Sequence, residues 1–194
     1  MSCGSSPETV RFIKSCSPTA VPTCPPCLKR FRRGRTAWFW RSIFPGDTLG
    51  FLLQGALFSP AETRKIVTQV CRGLWVLHSL GAVHRDIKPE NIILRGKDAV
   101  LIDFDAARIH KPEAESDTQI LGTAGFAAPE QYGLSQSDVR TDIYSLGILI
   151  NVMLTGQHPS QKLAQGRLGR VVERCTRVNP RHRYKNVLRL MEAL

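Results

Sequence analysis

The segment from Asp142 to Thr155 constrains the fold most, because it is apolar on nearly every face of a helix. A helix of that kind has no side to give to water, so it must run through the middle of a core built by other elements. Its most apolar part, Leu146 to Leu154, is broken by Gly147 and Asn151. It falls well short of the roughly 20 residues that a membrane span needs. Gly156 then supplies a stop. No secretory signal is apparent at the start of the chain, where Arg11 and Lys14 are not followed by an apolar run. The expected setting is therefore cytoplasmic, with no membrane partner and with the six cysteines reduced.

Elements able to surround that helix are legible on both sides of it. Ser59-Pro60-Ala61-Glu62 is a capping box with proline at the first helical position. Ile66, Val67, Val70, Leu74 and Leu77 follow at helical spacing as one buried stripe, and Gly81 ends the helix. Ile92–Leu94 and Val100–Ile102 read as short strands joined by a hairpin turn at Arg95-Gly96-Lys97-Asp98. Residues 103–128 show no sustained period and read as a long loop, which in a compact domain is usually functional. Two shorter amphipathic helices are expected over 167–177 and 184–194, separated by Asn179-Pro180. The predicted fold class is mainly α with one short β hairpin.

Charge divides the chain unevenly. Of 194 residues, 27 are Lys or Arg and 16 are Asp or Glu, a net charge of +11. Residues 1–45 hold eight of the basic residues against Glu8 alone, with four of the cysteines and six of the twelve prolines. The predicted organisation is a basic, Pro/Cys-rich leader over 1–45, disordered or aberrant, before a nearly balanced domain over 46–194. The leader has no period before Trp38, and its block from Lys29 to Arg35 is of a kind that is usually solvated. Cys24-Pro-Pro-Cys27 is a single CxxC; zinc would need two more ligands, and Cys3 and Cys16 are badly spaced for it. The block also lacks interleaved aromatics, so no specific nucleic-acid partner is expected.

The chemistry is concentrated between the first long helix and the hairpin, in His84-Arg85-Asp86-Ile87-Lys88-Pro89-Glu90-Asn91. Asp103-Phe104-Asp105 follows the second strand, and Gly122-Thr123, Ala128-Pro129-Glu130 and Asp142-Ile143-Tyr144-Ser145-Leu146-Gly147 come after it. In this order and at these spacings the motifs resemble the eukaryotic-type (Hanks) protein kinases, in their bacterial serine/threonine form, over residues 46–194. The resemblance implies a protein-kinase-like C-terminal lobe with the short hairpin at the active-site cleft. It implies transfer of the γ-phosphoryl group of ATP to Ser/Thr hydroxyls of a protein substrate, with ATP and Mg²⁺ as cofactors.

Phosphoryl transfer leaves little covalent work to the protein, so positioning and charge stabilisation decide the rate. By the resemblance, Asp86 accepts the substrate hydroxyl proton, Lys88 sets a positive charge beside the transferred group, and Thr123 bonds Asp86 or Lys88. Asn91 and Asp103 offer the hard oxygen ligands that Mg²⁺ prefers. Asp47, as a ribose contact, and Lys88, Glu90, Asn91 and Asp103 make up the nucleotide side. His84 and Phe104 are expected to pack in the core, Asp142 to hold the catalytic loop, and Glu130 to pair with Arg183. Arg85 is placed to pair a phosphate on the activation segment, where Ser116 and Thr118 lie. His78, His110, His158 and His182 have no ligand spacing and read as surface or packing residues.

Two features depart from the family pattern. The smaller kinase lobe carries a Gly-rich loop and a strand lysine over the phosphates, yet no G-x-G-x-x-G and no Val-Ala-x-Lys precedes Pro45. Recognisable kinase sequence begins at Pro45-Gly46-Asp47-Thr48-Leu49. The expectation is a truncated kinase, deficient in catalysis by itself by a factor of about 10⁴–10⁶, unless a complementing small lobe is supplied. The alternatives are a non-catalytic kinase-like binding module and the product of a disrupted gene, with 1–45 read out of frame. The second departure is Asp105, which stands where the metal-binding triplet has glycine and so restricts the backbone swing that glycine permits.

Overall fold

The computed structural model describes residues 46–109, 123–132 and 137–194. The leader, including Trp38-Phe39-Trp40 and its expected disorder, lies outside the described residues, as do His110, Ser116, Thr118 and Gly122. In chain order the described elements are β1 (Asp47–Thr48), α1 (Leu49–Leu52), α2 (Pro60–Ser79), β2 (Ala82–Val83), β3 (Ile92–Arg95) and β4 (Asp98–Leu101). They continue with β5 (Arg108–Ile109), α3 (Val139–Thr155), α4 (Gly166–Cys175) and α5 (Val187–Ala193). Single 3-10 turns lie at Pro89–Asn91, Pro129–Tyr132 and Pro180–His182.

The apolar helix is α3, and it runs through the core as its composition requires. Ile143, Leu146, Leu149, Ile150 and Met153 are fully buried, and α2, α4 and α5 pack around them. Each such side chain contributes roughly 1.5–3 kcal/mol relative to exposure. Gly147 lets α4 approach closely, since a Cβ there would strike the Cβ of Cys175. Asn151 interrupts the apolar run for a reason. Its side chain donates to the carbonyls of Gln157 (2.8 Å) and Lys162 (2.7 Å) and accepts the Ala164 N–H (2.8 Å), pegging the α3–α4 connection to the core.

Both long helices are bounded by recognisable chemistry. At α2 the Ser59 side chain accepts the Glu62 N–H (3.3 Å) while Glu62 accepts the Ser59 N–H (2.9 Å), and the stripe from Ile66 to Leu77 is buried. Gly81 (φ 72°) and Gly156 (φ 71°) follow the two helices in the left-handed conformation. α3 begins at Val139 and not at Asp142, because Asp138 and Thr141 form a second capping box. α5 begins at Val187, later than the predicted 184, because Asn186 caps it by accepting the Arg189 N–H at 3.0 Å.

The mainly α class is borne out, and the hairpin is present, with Ile92 opposite Leu101 and its turn narrowed to Gly96-Lys97. One hairpin, however, understates the strands. β1 adds antiparallel to β3, with Asp47 opposite Leu94, giving the order β1-β3-β4. β2 pairs antiparallel with β5, Ala82 opposite Ile109, which corrects the reading of 103–128 as loop throughout. Each added strand is two residues long, too short for alternation to show, and each pairing joins segments distant in sequence. Among the described residues no helix is long and apolar enough to cross a membrane.

Candidate active site

The loop over residues 84–91, between β2 and β3, is held from beneath by α3. Asp142, fully buried in the first turn of α3, accepts the backbone N–H groups of His84 (2.9 Å) and Arg85 (2.8 Å). The His78 ring adds a third bond through Nε2 at 2.8 Å. Burial by itself would push the Asp142 carboxyl up; the bond and charge of His78, with the Arg85 N–H, hold it below the ordinary aspartate value. A carboxylate only accepts, so His78 Nε2 bears the proton. This anchoring sustains φ 71° at Arg85, a conformation that costs a non-glycine residue roughly 1–3 kcal/mol. His84 is fully buried with its ring 4.9 Å from that of Phe104, and burial lowers its pKa despite the neighbouring carboxylates.

Asp86 sits at the centre of a hydrogen-bonded cluster. Its Oδ1 accepts the Thr123 hydroxyl at 2.7 Å, and its Oδ2 meets Lys88 Nζ at 2.9 Å. Lys88 also donates to Thr123 Oγ1 at 2.7 Å, closing a triangle. Asn91 Nδ2 donates to the Asp86 carbonyl (2.8 Å) and to Oδ2 (3.0 Å). Partial burial would raise the Asp86 pKa, but the bonds from Lys88, Thr123 and Asn91 outweigh it and the carboxyl is held low. The group is ionised at neutral pH and pointed by three side chains.

The β3–β4 hairpin brings the two candidate metal ligands to one edge of this cluster. The Asn91 carbonyl accepts the Ile102 N–H at 2.9 Å, so Asp103 leaves β4 beside the 3-10 turn that ends at Asn91. Asp103 adopts φ 63° and accepts the Asp105 N–H at 3.3 Å. Asn91 uses both amide hydrogens on Asp86, which leaves its Oδ1 as an acceptor. Among the described residues no group of three or more His, Cys, Asp or Glu could hold a metal. One carboxylate and one amide oxygen still suit Mg²⁺, which keeps waters and takes further oxygens from substrate phosphates. Asp105 is exposed, and slight burial together with the Asp103 charge raises its carboxyl pKa.

The remaining expected nucleotide residues lie on β1 and on the 3-10 turn before β3. Asp47 sits in β1 opposite Leu94, and Glu90 is exposed against Gly50 of α1. Glu130 and Arg183 form a bidentate pair at 2.6 and 2.9 Å, with Thr141 Oγ1 donating to Glu130 at 2.9 Å. Arg183 donates further to the carbonyls of Arg177, Val178 and Arg140.

Two supporting residues escaped the motif reading. His78 is no surface or packing residue: it is the buried partner of Asp142. Its signal was its place one helical turn beyond Leu74, on the buried stripe, where a polar side chain demands a partner. Gln131 accepts the Ala128 N–H (2.9 Å) and donates to the Arg85 carbonyl (2.8 Å), tying the 129–132 turn to the 84–91 loop. Nothing in its sequence context distinguishes it from a surface glutamine.

A family model described as protein kinase domain matches residues 11–189 of this sequence. The chain belongs to the protein kinase family. Curated relatives include the serine/threonine-protein kinase pkn2 of Myxococcus xanthus, 35% identical over 122 residues that cover 59% of this chain and 15% of that protein. A probable serine/threonine-protein kinase, pknA2, of Bifidobacterium longum is 42% identical over 104 residues, 53% of this chain and 14% of that protein. The serine/threonine-protein kinase PknL of Mycobacterium tuberculosis is 36% identical over 129 residues, 65% of this chain and 32% of that protein. The matched part of this chain thus spans between 14% and 32% of the length of these relatives. Protein kinases as a class use ATP with Mg²⁺ and act on protein substrates.

Proposed function

We propose that residues 46–194 form the large lobe of a serine/threonine protein kinase and supply the acceptor side of phosphoryl transfer. The observation behind this reading is the Asp86–Lys88–Thr123 triangle, in which each side chain touches the other two. Asp86, ionised and held from three sides, accepts the hydrogen bond of a substrate Ser/Thr hydroxyl and orients its oxygen for in-line attack. The hydroxyl proton passes to Asp86 as the new O–P bond forms and the bond from the γ-phosphorus to the β–γ bridging oxygen breaks, releasing ADP. Lys88 neutralises charge on the transferred phosphoryl oxygens, and Thr123 fixes the spacing of the other two. Asn91 Oδ1 and Asp103 would hold Mg²⁺, which when bound neutralises phosphate charge. Asp47 and Glu90 would line the nucleotide side.

We also propose the boundary between 1–45 and 46–194 as a domain boundary, although residues 11–45 fall inside the family match. The phosphate-covering groups, in this reading, come from a complementing small lobe outside 46–194. Mg-ATP and a Ser/Thr peptide offered to the chain with a small lobe in trans should give phosphopeptide, and Asp86→Asn should abolish it in a protein that still melts cooperatively. The same addition should let Mg-ATP at 100 times its Kd stabilise the chain by about 2.7 kcal/mol. Phosphopeptide from Asp86→Asn at the parental rate would remove the reading. Folded protein that neither binds nor turns over with the small lobe would favour a non-catalytic module.

A further inference from the structure

The charge of the domain is concentrated at its C-terminal end. Residues 46–164 hold eleven Lys/Arg and thirteen Asp/Glu, whereas residues 165–194 hold eight Lys/Arg against Glu173 and Glu192. α4 buries Leu168, Val171, Val172 and Cys175 and turns Arg170, Glu173 and Arg174 outward. The connection to α5 adds Arg177, Arg181 and His182. These side chains line a cleft of about 500 Å³ with the buried Arg183 at its floor. A second cleft, sharing Arg174 and flanked by Lys185 and Arg189, adjoins it.

Part of this charge has an internal use. Arg183 is matched by Glu130, Arg189 by Glu192 at 2.7 Å, and Arg167 Nε donates to the Ala193 carbonyl at 3.0 Å. Arg174 stacks on the Tyr184 ring, 4.4 Å from its centroid. Among the described residues no carboxylate forms an ion pair with Arg170, Arg177 or Arg181, all of them exposed. Exposed like charges at one cleft repel one another, so packing alone gives no reason to gather them.

We propose that this basic cleft docks an acidic segment of the protein substrate, away from the Ser or Thr that is phosphorylated. The inference rests on the kinase reading and names the substrate class: proteins with an acidic stretch outside the acceptor site. Arginine is the residue whose planar fork matches carboxylates bidentately. Arginine and tyrosine, both present in the lining of the two adjoining clefts, are among the side chains that dominate interface energetics. Glu173 within the lining argues for a peptide over a nucleic acid. A peptide can set a basic or hydroxyl residue opposite it, whereas a phosphate backbone repeats one charge throughout.

The cleft shares a support with the active site. Arg183 at its floor holds Glu130, and the next residue, Gln131, holds the Arg85 carbonyl beside Asp86. A substrate held there would meet Asp86 as an intramolecular partner, at an effective concentration of the order of millimolar.

The test is nucleotide-free binding of a fluorescent Glu-rich peptide, bearing one Ser and one Lys, to the full chain, followed by anisotropy as salt is raised. Arg177→Glu/Arg181→Glu should weaken binding about tenfold or more. Arg64→Glu/Arg72→Glu, charge-matched on the exposed face of α2, should change it less than about twofold. Arg170→Gln/Arg177→Gln serves in place of the reversal if that variant fails to melt cooperatively. Equal losses in the cleft and control variants would overturn the proposal. So would tighter binding of an oligonucleotide or of phosphatidylserine vesicles through the same arginines. Because no ATP is present, loss of binding leaves the kinase reading to the Asp86→Asn assay. Absent phosphoryl transfer with intact, cleft-dependent binding would count against the kinase reading only.

Discussion

Arg183→Met would leave the Glu130 carboxylate buried, with the Thr141 hydroxyl as its remaining donor among the described residues. The Arg183 side chain is 0% and that of Glu130 4% exposed, so neither charge can turn to water when its partner goes. Removing one member of such a pair costs about 3–5 kcal/mol, most of it the penalty of the charge left behind. Arg183 also satisfies the Arg177 and Val178 carbonyls, on exposed residues where water can replace it, and the carbonyl of half-buried Arg140, a smaller loss than that of the charge partner. The carboxylate therefore sets the magnitude, and about 3–5 kcal/mol is expected. Glu130→Met is expected to cost less, since the guanidinium keeps three carbonyl acceptors. The double variant, with neither charge present, should be more stable than Arg183→Met alone, because apolar replacement of a whole buried pair is often neutral or stabilising. Urea unfolding of the four proteins, followed by far-UV circular dichroism at pH 7, gives the cycle. An Arg183→Met variant within about 1 kcal/mol of the parent, or a double variant as unstable as the sum of the singles, would refute the reasoning.

Three further outcomes follow from the same contacts. Asn151→Ala strips the Ala164 N–H of its buried acceptor and frees the α3–α4 connection, at an expected cost of about 2–4 kcal/mol; hydrogen exchange at the Ala164 amide should rise with it. Leu149→Ala should cost about 2–5 kcal/mol by urea midpoint with no change of slope. The His84 pKa is lowered in the fold by burial, so the unfolded chain takes up a proton that the folded one refuses. Stability should then be full above about pH 6.5 and fall as pH drops through that value, by at most about 1.4 kcal/mol per unit. His84→Phe should flatten that limb of a urea-midpoint profile over pH 5–7.

What was legible was local. Ser59 with Glu62, the stripe from Ile66 to Leu77 and the glycines at 81 and 156 each declare themselves within a few residues, and the structure places them accordingly. The ordered motifs from His84 to Asp142 could likewise be seen without coordinates. The missed features are those whose meaning lies in a distant partner. Asp47-Thr48 and Arg108-Ile109 become strands only by pairing with β3 and β2. His78 becomes a support only because Asp142, far along the chain, points at it. The cap at Asp138 is local but hidden, because Arg140 and Thr141 separate it from the apolar run that marks the helix.

The supports of Asp86 hold its carboxylate in one orientation from several parts of the chain. Asp142 fixes the backbone before Asp86, Asn91 fixes its carbonyl, and Thr123 and Lys88 fix its carboxylate. These anchors come from α3, from the turn before β3 and from the segment beyond residue 122, and each anchor is tied in turn. His78 holds Asp142, and Gln131 holds the Arg85 carbonyl. Such a network is stiff where its bonds are made, because moving one member leaves its partner buried and unpaired. The same logic makes the site vulnerable from a distance. A change at Arg183 releases Glu130 beside Gln131, so it should loosen the Arg85–Asp86 backbone without touching either residue.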